Sequence, residues 1–247
     1  MSLLAVNGLS KSFGGVKAAR DVTFDVAAGQ LVAMIGPNGA GKSTTFSMVG
    51  GQLKPDSGEV ILDGRRITGA GPRRAWRAGI GRTFQVTATF ASLTVAGNIQ
   101  SALMSAHRRL LDPLTWAGPL YRDEAVALAA RVGLADEVDR PVGELAYGDL
   151  KRVELALALA GTPRLLLMDE PTAGMAAHER VELMALVADI ARSENVGVLF
   201  TEHDMESVFA HADHVLVVHQ GAIIARGTPG EIRADARVRA VYLGTAA

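Results

Sequence analysis

The chain contains no cysteine. That excludes a disulfide framework and any thiolate metal site, and it is compatible with a reducing cytosol. Net charge is nearly absent as well: 25 Lys and Arg stand against 26 Asp and Glu, a formal charge of −1. A balance this close to neutral gives no overall electrostatic ground for nucleic acid as the main partner, although local basic clusters occur at Arg73-Arg74 with Arg77 and at Arg108-Arg109. No apolar run reaches the ~18 residues of a membrane-spanning helix. The opening Met1-Ser2-Leu3-Leu4-Ala5-Val6-Asn7 lacks the basic start, long apolar middle and cleavage site of a signal peptide. The expectation is a soluble, cytoplasmic protein that needs another protein to hold it at any membrane.

What is present is ordinary globular material. The 247 residues are 49% hydrophobic and 21% charged, enough for one large domain or two small ones with a real core. Residues 3–35 read as β structure: Val22, Phe24 and Val26 alternate with polar neighbours, and Leu31–Ile35 is a short buried strand. A glycine-rich turn leads into a helix expected over Lys42–Val49, and a strand at Glu59–Leu62 follows the turn signal Pro55-Asp56-Ser57-Gly58. From about Leu93 to Leu134 the pattern is mainly helical, broken at Pro113 and Gly118-Pro119, with Asp123–Val132 the best helix. This block resembles a separate helical insertion. Helices at 149–160 and 178–193 then alternate with strands at 165–168 and 196–201, a βαβ rhythm that implies a mostly parallel sheet flanked by helices. A hairpin at 215–226 and small helices complete the chain.

Two short segments carry chemistry. Gly36-Pro37-Asn38-Gly39-Ala40-Gly41-Lys42-Ser43 fits the Walker A pattern and lies between a strand and a helix, where a backbone wrapped around phosphate and a helix N-terminus act together. Lys42 would place a point charge on the β- and γ-phosphates, and the Ser43 hydroxyl would ligate Mg²⁺. The same residues also fit a plain glycine turn. Leu165-Leu166-Leu167-Met168-Asp169-Glu170 is a buried strand ending in two carboxylates, as in Walker B, with Asp169 for Mg²⁺ and Glu170 for the attacking water. Because Pro171-Thr172 follows, an acidic helix cap is the other reading.

Together with further motifs in order, the chain resembles the ABC ATPase family over essentially its whole length. The resemblance implies an α/β P-loop NTPase of that type across 1–247: a mostly parallel core sheet, an antiparallel β subdomain and an α-helical subdomain at roughly 90–160. It implies that Phe13 stacks on adenine, that Gly36–Ser43 with Thr44 holds the phosphates, and that Gln85 meets Mg²⁺ or the lytic water. Leu145-Ala146-Tyr147-Gly148-Asp149 stands where the family has its LSGGQ signature, facing the ATP of an opposite subunit, and His203 is the switch histidine. The catalytic set so implied is Glu170, His203 and Gln85, and the metal set is Ser43, Gln85 and Asp169. The cofactors are ATP and Mg²⁺. The partners are transmembrane permease subunits, a second nucleotide-binding subunit and, indirectly, a solute-binding protein, without direct nucleic acid. The subunit would then sit peripherally at the inner face of the cell membrane.

Within the family the chain is most similar to the branched-chain amino-acid importer type, through Leu145-Ala146-Tyr147-Gly148, Thr83-Phe84-Gln85, Thr201-Glu202-His203-Asp204-Met205 and Tyr242-Leu243-Gly244. It departs from the family at Ala146, Asp149 and Leu150 in the signature region, and at Ala176, where an Asp or Asn that helps link the two ATP sites is expected. Those departures bear on cooperation between sites and leave Lys42, Ser43, Gln85, Asp169, Glu170 and His203 intact. Two other readings stand beside transport: an ABC ATPase acting in a cytoplasmic assembly, and a P-loop small-molecule kinase. His211, His214 and His219 lack a partner cluster with metal-ligand geometry and read as surface positions around a strand.

Overall fold

The computed structural model describes residues 2–83, 89–107 and 120–243. From the N-terminus, β1 (Ser2–Phe13), β2 (Val16–Ala27) and β3 (Leu31–Ile35) lead into α1 (Lys42–Val49), followed by β4 (Ser57–Leu62), β5 (Arg65–Arg66), α2 (Pro72–Arg77) and β6 (Ile80–Arg82). Helices α3 (Val95–Ala106), α4 (Arg122–Arg131) and α5 (Tyr147–Leu159) form the middle. The last part runs β7 (Leu165–Asp169), α6 (Ala177–Glu194), β8 (Gly197–Thr201), α7 (Met205–His211), β9 (His214–His219), β10 (Ala222–Gly227), α8 (Pro229–Ala234) and α9 (Ala236–Leu243).

Two sheets result. One is antiparallel, in the order β2-β1-β4-β5; the other has six strands in the order β10-β9-β3-β8-β7-β6. In the second, every pair from β9 to β6 is parallel and only β10 runs against its neighbour. In β2 the alternation is literal: Val22, Phe24 and Val26 are buried, while Thr23 and Asp25 are exposed. The strands β3, β7 and β8 are apolar up to the polar ends of β7 and β8 at Asp169 and Thr201, because both faces of their sheet are covered. Val32, Met34, Leu165, Leu167 and Leu199 join β1, β2, β4 and α1 in one core; Ala33, Ile35, Leu166, Met168, Val198 and Phe200 join the helices α3 to α6 in the other.

The helical block is anchored locally as well. Thr94 caps α3 by accepting the Gly97 amide, and the buried Asn98 side chain binds the backbone of Phe90, Leu93 and Thr94. The expected breaks at Pro113 and Gly118-Pro119 lie outside the described residues. Helix α5 begins at Tyr147, two residues before Asp149. The sequence reading starts this helix at about Asp149, whereas Asp149 sits in its first turn and the extended residue before the helix is Ala146. Short elements such as α2, α7, β5 and β6 lacked the length for a periodic signal.

Candidate functional site

Strand register brings the site together. Thr201 at the end of β8 pairs with Met34 of β3 on one side and Asp169 of β7 on the other, so these three parallel strands end at the same level. The loops that leave them carry Gly36–Ser43, Asp169-Glu170 and His203 to one edge. Strand β3 is also where the chain's direction through the sheet reverses, since later strands add on both of its sides. The carboxyl edge at such a point is the characteristic ligand crevice of α/β sheets.

The loop after β3 is shaped by close backbone approaches. A Cβ on Gly36 would stand 2.2 Å from the Val218 carbonyl oxygen, and one on Gly41 would stand 2.2 Å from that of Ala18. Gly41, with φ 106, precedes α1 in the left-handed region and offers no side-chain cap. The first amides of α1 therefore remain available to an anion. The loop is tied to the hairpin between β9 and β10 by the Gly221 amide on Ala40 O at 2.7 Å. Lys42 is buried, and its Nζ donates to Gly36 O at 2.5 Å and Pro37 O at 3.3 Å. Burial pushes the Lys42 ammonium below its usual range, with Glu170 and Asp169 pulling the other way. Ser43 is exposed at the first turn, and Thr44 is half-buried beside it.

The carboxylates are held differently from one another. Asp169 accepts the Thr201 hydroxyl at 2.7 Å and has Arg82 at 3.9 Å. Glu170 adopts a left-handed backbone, φ 50, and its amide donates to both the carbonyl and the hydroxyl oxygen of Thr201, at 3.2 and 3.0 Å. Its side chain meets His203: Nε2 lies 2.7 Å from Oε1. Behind them the buried Glu202 accepts the amide and hydroxyl of Thr172, at 3.0 and 2.7 Å. The turn after β7 is thereby stitched to the turn after β8. Thr201 and Glu202 belong to the segment that the sequence singled out, but their supporting roles were missed. Each depends on partners about thirty residues away in the chain, and the only local signal was a polar residue closing an apolar strand.

At Leu145–Asp149, α5 starts behind Ala146 with no side-chain cap, leaving another uncapped N-terminus. Tyr147 is half-exposed and donates to Ala173 O at 3.1 Å. Gly148 is buried, and a Cβ there would approach Glu179 Oε1 to 2.8 Å. Leu150 is apolar for a structural reason: it packs on the helical core. Ala176 precedes α6, where Glu179 accepts its amide at 2.9 Å, but it has no oxygen with which to cap in return.

Phe13 ends β1 and is 51% exposed near the loop, since its strand partner Val16 lies two residues from Ala18. Gln85 lies outside the described residues. Just before it, Arg82 and Thr83 line a groove of about 380 Å³ with Gln52, Trp76, Glu154 and Leu157. Among the described residues no group of three or more His, Asp or Glu could hold a metal ion, and His211, His214 and His219 are spread along α7 and β9. A divalent ion here would need Ser43, Asp169 and the oxygens of a nucleotide, and hard oxygen donors of that kind suit Mg²⁺. Among the described residues no helix is long and apolar enough to cross a membrane.

Comparison with known proteins gives the following. Residues 19–173 match the family model described as ABC transporter, and residues 222–247 match that of the branched-chain amino acid ATP-binding cassette transporter. The chain is 40% identical to the high-affinity branched-chain amino acid transport ATP-binding protein BraF of Pseudomonas aeruginosa, and 38% identical to LivG of Salmonella typhimurium; each match covers 99% of this chain and 98% of the relative. It is also 35% identical to the lipopolysaccharide export system ATP-binding protein LptB of Acidithiobacillus ferridurans, over 98% and 97% of the two chains. A solved structure of the ADP conformation of MJ1267, an ATP-binding cassette of an ABC transporter, superposes with a TM-score of 0.89 at 31% identity over 99% of each chain.

Proposed function

Because the chain belongs to the ABC transporter family, we propose that it is the ATP-hydrolysing subunit that powers an importer of branched-chain amino acids or related small solutes. The observation that carries the chemistry is the meeting of Lys42, Asp169, Glu170 and His203 at the ends of β3, β7 and β8. What supports the substrate class is full-length similarity to BraF and LivG together with the matched terminal segment 222–247. The similarity to an export subunit lacks that second support.

The residues divide the work by position. The free amides of α1 and the Lys42 ammonium bind the phosphates, and Phe13 offers its ring face to the base. Glu170 orients the attacking water and takes up its proton, while His203, hydrogen-bonded to Glu170, holds that carboxylate in place. Ser43 and Asp169, with Gln85, would hold Mg²⁺, which would supply positive charge against the phosphates. The uncapped start of α5 at Leu145–Asp149 supplies amides to the nucleotide of a second subunit, so that two copies, or this chain and a relative, close head to tail and reopen after hydrolysis. Glu154 and Leu157 of α5 border the groove at Arg82 and Thr83, from which permease subunits would receive the motion. Such subunits would hold the protein at the cytoplasmic face of the membrane.

The decisive variant is Glu170→Gln. It is expected to bind MgATP and dimerise, with hydrolysis slowed by about a hundredfold or more, the scale of a lost general base. Parental turnover in that variant removes Glu170 from its role. Purification of the chain from native membranes is expected to bring a polytopic permease with it; recovery only in soluble complexes favours the non-transport reading.

A further inference from the structure

Tyr147 stands where a glycine is usual in the family signature, and its contacts face inward to its own subunit. Its hydroxyl donates to Ala173 O at 3.1 Å. Its ring packs on Gly174, where an added Cβ would lie 3.3 Å from the ring edge. From behind, Lys151 Nζ sits 5.5 Å from the ring centroid and is itself fixed by a buried 3.0 Å ion pair with Glu154. Ala173 is not an arbitrary anchor: its amide donates to Glu170 O at 3.2 Å, and the Glu170 amide is locked to Thr201. The start of α5 is thus joined to the turn bearing the proposed general base through one side-chain bond and one backbone bond. The neighbouring Glu179 accepts the Ala176 amide, and Ala176 has no side-chain oxygen with which to answer.

We propose that Tyr147 is a positioning residue that couples the two ATP sites: it holds the turn at Glu170 in register with the start of α5, so that occupation of α5 by the partner's nucleotide is transmitted to catalysis in its own subunit. The proposal rests on the composite-site reading above.

Tyr147→Phe isolates the hydroxyl, because the ring, the contact with Gly174 and the cation above it remain. In the purified full-length chain the expected result is a fall in kcat of about fivefold, the scale of one neutral hydrogen bond, with the Hill coefficient for MgATP moving toward one. The KM is expected to stay at its parental value and the thermal midpoint to fall by no more than about 2–4 °C, and in the Glu170→Gln background MgATP-driven dimerisation is expected to be unchanged. A merely structural tyrosine would not separate kcat from KM. Unaltered kcat and Hill coefficient overturn the proposal, as does an equal loss in KM and dimerisation, which would make Tyr147 a direct nucleotide ligand. If Glu170→Gln alone fails to dimerise with MgATP, the composite site itself is wrong, and this coupling falls with it by a separate and recognisable route.

Discussion

Lys42 shows how the site stores a cost that its ligand relieves. The ammonium is buried against two carbonyl oxygens, and burial lowers its affinity for a proton below that of an unfolded lysine, whose ordinary pKa is 10.5. The sign follows: the folded chain binds that proton less readily than the unfolded one, so the penalty is present at neutral pH and shrinks as pH rises toward 10.5. Phosphate would supply the missing opposite charge. Lys42→Met is therefore expected to raise the melting midpoint of the nucleotide-free chain by about 2–4 °C, or ~1 kcal/mol, and to abolish the rise caused by MgATP. Differential scanning fluorimetry with and without MgATP reads both; a lower midpoint without nucleotide, or a retained MgATP shift, contradicts the account. Lys42, Asp169 and Glu170 were legible in the sequence because their chemistry is confined to short segments at strand ends. The roles of Thr201, Glu202 and Tyr147 were not, since each is defined by a partner on another element.

Among the elements, helix ends carry the contrast between stability and function. Thr94, Asp204 and Thr228 cap α3, α7 and α8 with side-chain oxygens. The starts of α1, α2, α4 and α5 have no such cap, and at α1 and α5 the proposal gives the open amides to an anion. Helix α6 is open too, but Glu179 already takes the Ala176 amide, so half of a capping box is built. Ala176→Ser supplies the other half by accepting the Glu179 amide. It is expected to stabilise the chain by ~1 kcal/mol in urea unfolding with an unchanged slope; no gain would mean that the first turn of α6 is already satisfied another way. Element legibility followed length and covering. The strands β3, β7 and β8, apolar on both faces, and α6, long and periodic, stood out, whereas α2 and α7 were too short to show a period. The start of α5 lies two residues earlier than expected, at Tyr147, because its first turn carries no capping side chain to mark it.

At the scale of the whole molecule, the sequence suggested a helical insertion set apart from the sheet, and the packing joins them. Ile99 of α3, Leu128 of α4 and Leu155 of α5 belong to the same buried cluster as Leu166, Val198 and Phe200 of the parallel strands. Helices α3 and α4 pack on α5, which in turn packs on the sheet, so the block and the sheet are expected to unfold together. Ile99→Ala tests this from the far side, because Ile99 is fully buried in α3 and not in the phosphate loop or the strand ends. Truncation to a cavity costs about 2–5 kcal/mol, which for a chain of this size lowers the midpoint by about 5–15 °C. If the core is shared, calorimetry shows one transition displaced as a whole, and MgATP, for which the sheet edge is the proposed site, raises that same transition. A variant in which an early transition splits off while the ATP-sensitive one stays at the parental temperature would show that the helices melt on their own. They would then be free to move as a unit, and the turn at Tyr147 would be the hinge that follows them.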